Sequence, residues 1–436
     1  MRRSPLVVAG VAGATLLMGA CGGGGSSTSA STTTSSSTTT ATPSATASPT
    51  ETKPVRDAKA DLVIWADEKR ATALKAVADK FAQDNGITVA VQTVATDLQT
   101  NFVTANAAGN GPDVVVGAHD WIGNMVQNGA ISPLPLSQAD QAKYSPIAIK
   151  GVTYNGQIYG LPYAVENIAL FRNTDAAPKA PATIEQLVKD GQAAVKAGKV
   201  SGVLNLQVGQ NGDAYHLEPL YTSGGGYLFG TKANGDYDPT DVGVGKPGSV
   251  AAMKKIAALG EKGSKVLKRS ISGDNSIALF TQKKAAYLVS GPWAIADIKK
   301  AGIKYDISPV PPFAGGKPAA PFIGVQAFYI ASKAKNASLA QEFVLNAVNT
   351  PDTMKALFDA EPRPPAMTQV LQSVSASDPD IQKLAAAGKN GQILPAIPAM
   401  AAVWDPLGKA EAAIIGGANP TTTIENAGKT IRSSIK

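Results

Sequence analysis

The residues with the most chemical character in this 436-residue chain gather at a few turns. Gly117-Ala118-His119-Asp120-Trp121 follows an apolar stretch, placing a carboxylate and an indole side by side. Tyr163-Ala164-Val165-Glu166-Asn167 ends another apolar run on a carboxylate. Gly291-Pro292-Trp293 closes a third, and Trp404 follows a loop containing Pro395 and Pro398. Indole rings together with carboxylates and ammonium groups suit a polyhydroxylated ring. Such a ring offers an apolar C–H face for stacking and a rim of hydroxyls for hydrogen bonds. On spacing alone, Trp293 and Trp404 serve equally well as core residues, and Asp120 and Glu166 as caps or surface charges.

Other chemistries are poorly supplied. With one cysteine and two histidines, His119 and His216, a disulfide framework, a Cys/His zinc site and a Cys–His nucleophile pair are excluded. No cofactor or metal is expected. Gly243-Val244-Gly245-Lys246-Pro247-Gly248 imitates a dinucleotide fingerprint, but Asp238-Pro239-Thr240-Asp241 precedes it in place of a buried strand. Gly428-Lys429-Thr430 imitates the end of a phosphate loop, with Thr423 where the first glycine is needed. There is no nucleophile elbow and no H-E-x-x-H. The net charge of +7 contains no long basic run, which argues against nucleic-acid binding.

The elements that must position these turns are readable from periodicity. Leu62 to Trp65 predicts a strand, and Leu74, Val77, Ala78 and Phe81 predict a helix stopped by Gly86. Ile87, Val89 and Val91 alternate as a second strand, and Val114 to Val116 form a third. Thr183 with Gln186 predicts a capping box. Ala286 to Ser290 predicts a strand, and Leu339, Phe343 and Ala347 one face of a helix. The alternation predicts an α/β chain with mainly parallel sheets. Residues 58–436 are too many for one sheet, so two α/β lobes are expected. The turn at Gly117–Trp121 then sits at a C-terminal strand edge, where open α/β sheets bind ligands.

The N-terminus carries an export address. Arg2 and Arg3, the apolar stretch Leu6 to Met18, and Gly19-Ala20 before the lone Cys21 resemble a bacterial lipoprotein signal (1–20). That pattern implies lipidation of Cys21. Residues 22–52 hold 20 Ser or Thr and no Leu, Ile, Val or aromatic, so 21–57 reads as a disordered tether reaching about 30 Å.

Taken in order, Leu62-Val63-Ile64-Trp65, Gly111-Pro112-Asp113, Ala118-His119-Asp120, Tyr154-Asn155-Gly156, Ala164-Val165-Glu166, Gly291-Pro292-Trp293 and Pro398-Ala399-Met400 with Trp404 resemble the maltose/maltodextrin-binding proteins of ABC sugar importers. Asp67-Glu68-Lys69 and Ala118-His119-Asp120-Trp121 are especially similar to lipoprotein members from high-GC Gram-positive bacteria. The resemblance implies a two-lobed periplasmic-binding-protein fold, with lobe one at 58–164 and 327–375 and lobe two at 165–326 and 376–436. It implies a monomer held at the outer face of the cytoplasmic membrane through its N-terminal lipid, delivering sugar to a membrane permease without being an enzyme.

Residue by residue, Lys69 with Asp67 or Glu68 matches the family's acidic–lysine pair for glucose hydroxyls. Asp120 matches its hydroxyl-binding aspartate, Glu166 the glutamate near the hinge, and Trp293 and Trp404 two stacking tryptophans. Tyr215 falls near the tyrosine of lobe two, in a longer loop spanning Val208 to His216. The chain departs from the pattern at Gly117, where an enteric member has a cleft tryptophan, and at Trp121, Asp405 and Gly408. Trp121 is the expected replacement aromatic. Maltose or maltodextrin is the implied ligand, with trehalose or another α-linked oligosaccharide as the alternative. A secreted glycosidase using Asp120 and Glu166 would need their carboxyls about 5 Å or about 6.5–9.5 Å apart.

Overall fold

Leu62–Ala66 is buried at every position, and this five-residue apolar run is strand β1. The computed structural model describes residues 54–435 apart from Asn234, so the signal at 1–20, Cys21 and nearly all of the tether lie outside the described residues. The helix Glu68–Asn85 follows β1 directly. Asp67 caps its start by accepting from the Arg70 amide, and Gly86, at φ 64°, closes its end. β2 (Val89–Thr93) and β3 (Val114–Ala118) then pair with β1 in parallel, as alternating helices require.

A short hairpin, β4 (Thr153–Tyr154) and β5 (Gln157–Ile158), precedes β6 (Gly160–Glu166) and β7 (Ala169–Asn173). β8 (Gly202–Asn205), the hairpin β9 (Phe229–Thr231) and β10 (Tyr237–Val242), β11 (Ala285–Ser290) and β12 (Tyr305–Ser308) come next. The last strands are β13 (Phe322–Ile330), buried at all nine positions, and β14 (Gln392–Ile393).

Two principal sheets result. The first runs β14-β13-β3-β1-β2 with β6 also paired to β13, and the second runs β12-β7-β11-β8. The expectation of mainly parallel sheets is corrected here. β13 lies antiparallel to both β3 and β6, and β7 lies antiparallel to both β11 and β12, so both sheets are mixed. The cause is connectivity: β6 and β7 are successive strands in different sheets, and β13 returns to the first sheet beside β3. The fold is mixed α/β, built on two principal sheets.

Apolar clusters cover both faces of the first sheet, Phe102 and Val115 on one side and Leu74 and Phe328 on the other. The second of these continues to Phe171 and Leu288 of the other sheet. A third cluster, around Leu217, Tyr221, Ile256 and Ile415, packs the helices against the second sheet.

Three local expectations change in detail. Thr183 accepts from the Gln186 amide, but the Gln186 side chain turns to Asp190 at 2.6 Å, so the capping box is half formed. The helix carrying Leu339 and Phe343 widens into a π-helix over Phe343–Val348. Gly243–Gly248 does join a strand to a helix, yet β10 belongs to a partly exposed hairpin with no crossover, so the fingerprint remains a false match.

Candidate functional site

Asp67, Glu68 and Lys69 occupy the turn between β1 and its helix, where a strand end meets a helix start. Asp67 is engaged twice by Arg70, through the amide and an ion pair with the guanidinium, whose Nε also donates to the Tyr163 hydroxyl at 2.6 Å. Glu68 and Lys69 are exposed. Of the two acids expected to partner Lys69, Asp67 is therefore committed to helix capping, and Glu68 has the side chain facing outward.

This turn lines a concavity of about 320 Å³ shared with Ala95, Trp293, Glu361 and Arg363. Trp293 arrives there from the end of β11 through a single 3₁₀ turn, Pro292–Ala294. Its ring packs against Gly291, where a Cβ would collide with the indole; Gly117 is covered in the same way by Trp121. Glycine at each position lets the aromatic fold back over its own strand end.

Arg363 is the hub of the site. Its guanidinium lies 5.6 Å from the Trp293 ring centroid, ion-pairs with Glu166, and bonds Glu361 at 2.8 Å. Glu166, at the end of β6, also accepts from Gln326 at 2.9 Å and is 6% exposed. Burial lowers the Arg363 pKa to about 10, helped by the nearby charge of Arg70, and leaves the group cationic at neutral pH. Glu166 is thus an ion-paired, hydrogen-bonded carboxylate with both oxygens engaged.

A second group is assembled by the helix Ala214–Ser223. Asp213 caps it, accepting from the His216 amide at 2.9 Å, and contacts His216 Nδ1 at 3.1 Å. Burial alone would raise the Asp213 pKa, but the hydrogen bonds from His216 and Gln207 hold it below the ordinary value. Tyr215 and His216 pack edge to face at 5.4 Å, and Tyr215 lies 5.8 Å from Phe322. Phe322 in turn meets Trp404, the first residue of the helix Trp404–Ile415, at 6.1 Å. His216 also meets Trp293 at 6.1 Å. A continuous aromatic row therefore links Trp404, Phe322, Tyr215, His216 and Trp293.

Asp120 borders this row. It sits in the 3₁₀ turn His119–Trp121 at the C-terminal edge of β3 and is partly buried. Burial raises its pKa to about 6. The charge of the same carboxylate, with that of Asp213, adds to the burial that raises the Tyr215 hydroxyl. Beside Asp120, His119 is structural. Its Nδ1 accepts from the Val325 amide at 3.0 Å, its Nε2 donates to the Leu394 carbonyl at 3.0 Å, and burial lowers its pKa to about 4.

The fold thus gathers Asp67, Glu68, Lys69, Glu166, Trp293, Tyr215, Trp404 and Asp120 around two adjoining groups. Trp121 joins the apolar cluster on one face of the first sheet, over Gly117. A larger concavity of about 470 Å³, bounded by His119, Tyr154, Lys232, Tyr237 and Ile397, contains none of the expected binding residues. At Gly408, where the resemblance leads one to expect an arginine, a Cβ would meet the Asn211 carbonyl oxygen at 2.9 Å, and a side chain at Gly212 would collide with the Gly408 backbone. The longer loop before Tyr215 occupies that space.

Sequence reading missed Arg363, Glu361, Gln326, Asp213 and His216. In Glu361-Pro362-Arg363-Pro364-Pro365 the signal available was an Arg locked between prolines with a Glu just before them. Among the described residues no group of three or more His, Cys, Asp or Glu is arranged to hold a metal, and no helix is long and apolar enough to cross a membrane.

Residues 76–389 match the sequence profile described as bacterial extracellular solute-binding protein. The chain is 30% identical over 408 residues to the galactooligosaccharide-binding protein of Bacillus subtilis, covering 90% of this chain and 94% of the relative. It is also 30% identical over 372 residues to a maltooligosaccharide ABC transporter solute-binding lipoprotein of Streptococcus pneumoniae, covering 83% and 86%. The maltodextrin-binding protein MdxE of Bacillus subtilis is 27% identical over 369 residues, covering 83% and 86%.

Proposed function

The chain belongs to the bacterial extracellular solute-binding protein family, and on that premise we propose that it captures maltooligosaccharides for an ABC importer, in a site built on Trp293 and Trp404. The observation that carries this is the aromatic row from Trp404 to Trp293, flanked by Asp120, Glu166 and Arg363. Stacking surfaces bordered by charged hydrogen-bonding groups match a chain of pyranoses better than a single small polar solute. In this role Glu68 and Lys69 bond sugar hydroxyls at one end, Asp120 and Tyr215 at the middle, and Trp121 supplies apolar contact beside Asp120. Maltooligosaccharide-binding names among the relatives support this choice.

In this reading lobe one at 58–164 and 327–375 holds β1, β2 and β3, lobe two at 165–326 and 376–436 holds the second sheet together with β14 of the first, and the boundaries fall within β6 and β13. The strand pair β6–β13 is then the hinge. Sugar touching both lobes binds the closed arrangement better and shifts the population toward it. The closed form docks on the permease, and the chain acts as a monomer with no cofactor and no catalytic step. Lipidation at Cys21 holds it to the outer face of the membrane, a role consistent with the lipoprotein among its relatives.

A galactooligosaccharide ligand is the second reading, favoured by the 30% identity over 408 residues to a protein named for that sugar. Titrating maltotriose, β-1,4-galactotriose and trehalose into the protein in a calorimeter decides between them. Tight binding of maltotriose supports the first reading, and binding of galactotriose or trehalose alone replaces it.

A further inference from the structure

Among the described residues, several buried side-chain nitrogens and oxygens have no hydrogen-bond partner. Three of them belong to the site described above: His216 Nε2, Arg363 Nε and Gln326 Oε1. His216 and Arg363 both flank the Trp293 ring, at 6.1 and 5.6 Å, and Gln326 shares Glu166 with Arg363. Buried polar atoms are ordinarily satisfied, so orphans gathered around one indole ask for a partner supplied from outside.

We propose that His216 is a ligand-binding residue, its Nε2 accepting a hydrogen bond from a hydroxyl of the sugar ring stacked on Trp293. This inference rests on the oligosaccharide reading and adds to it a residue outside the motifs that carried the resemblance. The chemistry follows from the two ring nitrogens. Nδ1 faces both oxygens of Asp213 at 3.1 Å, and a carboxylate beside a neutral imidazole keeps the proton on the nitrogen it faces. Nε2 then bears the lone pair. His216 is 6% exposed, and its ring is fixed between Tyr215 and Trp293, so neither rotation nor bulk water satisfies that lone pair.

Asp213 is the positioning residue in this arrangement. It holds His216 twice, through the backbone amide and through Nδ1, and is itself bonded by Gln207. The orphan Nε–H of Arg363, also beside the indole, offers a donor where Nε2 offers an acceptor. A hydroxyl serves as either donor or acceptor, so one sugar unit meets both demands. A ligand lacking a hydroxyl opposite His216 leaves the lone pair buried and unpaired, and specificity follows from that penalty.

The test uses the whole protein with maltotriose and β-1,4-galactotriose, taking whichever the parent binds more tightly. His216→Phe keeps the ring packing and removes both nitrogens. It is expected to weaken binding about tenfold, read at a temperature well below the ligand-free thermal midpoint, which falls because Asp213 loses its Nδ1 partner. Parent-like affinity in this variant overturns the assignment. Because the chain has two histidines, nitrogen-15 labelling follows both in the unmutated protein and avoids any question of folding. Saturating sugar is expected to move the Nε2 resonance of His216 and leave that of His119, already bonded to Leu394, in place. Sugar that binds without moving the His216 resonance overturns the proposal and leaves the oligosaccharide reading standing. A parent protein silent toward every sugar overturns both.

Discussion

Replacing Trp293 with alanine removes the ring on which the account depends. The indole is half-buried, packed on Gly291, with His216 meeting it edge to face and the Arg363 guanidinium over the ring, so the part left exposed is the surface offered to ligand. A pyranose laid on it removes roughly 60 Å² of apolar ring surface from water, worth about 1.5 kcal/mol. The preference of polarised C–H groups for the π-face adds about 0.5–1 kcal/mol. The sum, about 2 kcal/mol, is about a 30-fold loss of affinity. Removing the ring also frees Arg363 from its cation–π contact, but the two ion pairs to Glu166 and Glu361 hold it in place, so the loss is specific to ligand. Calorimetry of Trp293→Ala against the preferred trisaccharide measures it, with Trp293→Phe expected to keep most of the affinity. Loss of less than threefold, in a variant whose unfolding midpoint is unchanged, refutes the stacking argument.

Four further outcomes are expected. Burial raises the Asp120 pKa from 3.8 to about 6, so protonation favours the folded, ligand-free chain: this contribution is full below pH 3.8 and is lost as pH rises through about 6. Asp120→Asn is therefore expected to raise the ligand-free thermal midpoint at pH 7.5. In binding, the ionised carboxylate is the better acceptor, so parent affinity falls as pH drops below about 6, while the asparagine variant binds more weakly with no such dependence. Arg363→Ala leaves Glu166 buried without its cation and is expected to cost about 2–4 kcal/mol of stability in urea unfolding. Gly291→Ala sets a methyl group into the Trp293 ring, so weakened sugar binding is expected and parent-like binding contradicts the packing described. Prolonged incubation with maltotriose is expected to yield no shorter products by chromatography, because both Glu166 oxygens are engaged by Arg363 and Gln326; turnover lost in Glu166→Gln restores the glycosidase reading.

Much of this arrangement was legible in the chain because short-range rules governed it. β1, β3 and β11 are continuous apolar runs, and each ends in a turn whose residue types announce its chemistry: Asp67-Glu68-Lys69, Asp120-Trp121 and Trp293. Pairing direction was not legible. Whether β13 runs with or against β3 depends on where a chain returning after some 200 residues enters the sheet, which no local period encodes. The same separation hid Arg363, which meets Glu166 across 197 residues of sequence. His216 was hidden differently. Its environment is set by Asp213 three residues earlier, but only the fold reveals that Trp293 lies against its other side. Asp67 shows the converse: its match to a ligand-binding acid was visible, and its work as a helix cap became apparent once the helix start was located.

A crystal structure of the protein with its preferred trisaccharide bound tests the central claim most directly. The account predicts successive sugar rings on Trp293 and Trp404, with hydroxyls at hydrogen-bond distance from Asp120 and His216. Sugar seated instead in the larger concavity beside Tyr154 and Tyr237, with the aromatic row uncovered, would contradict it.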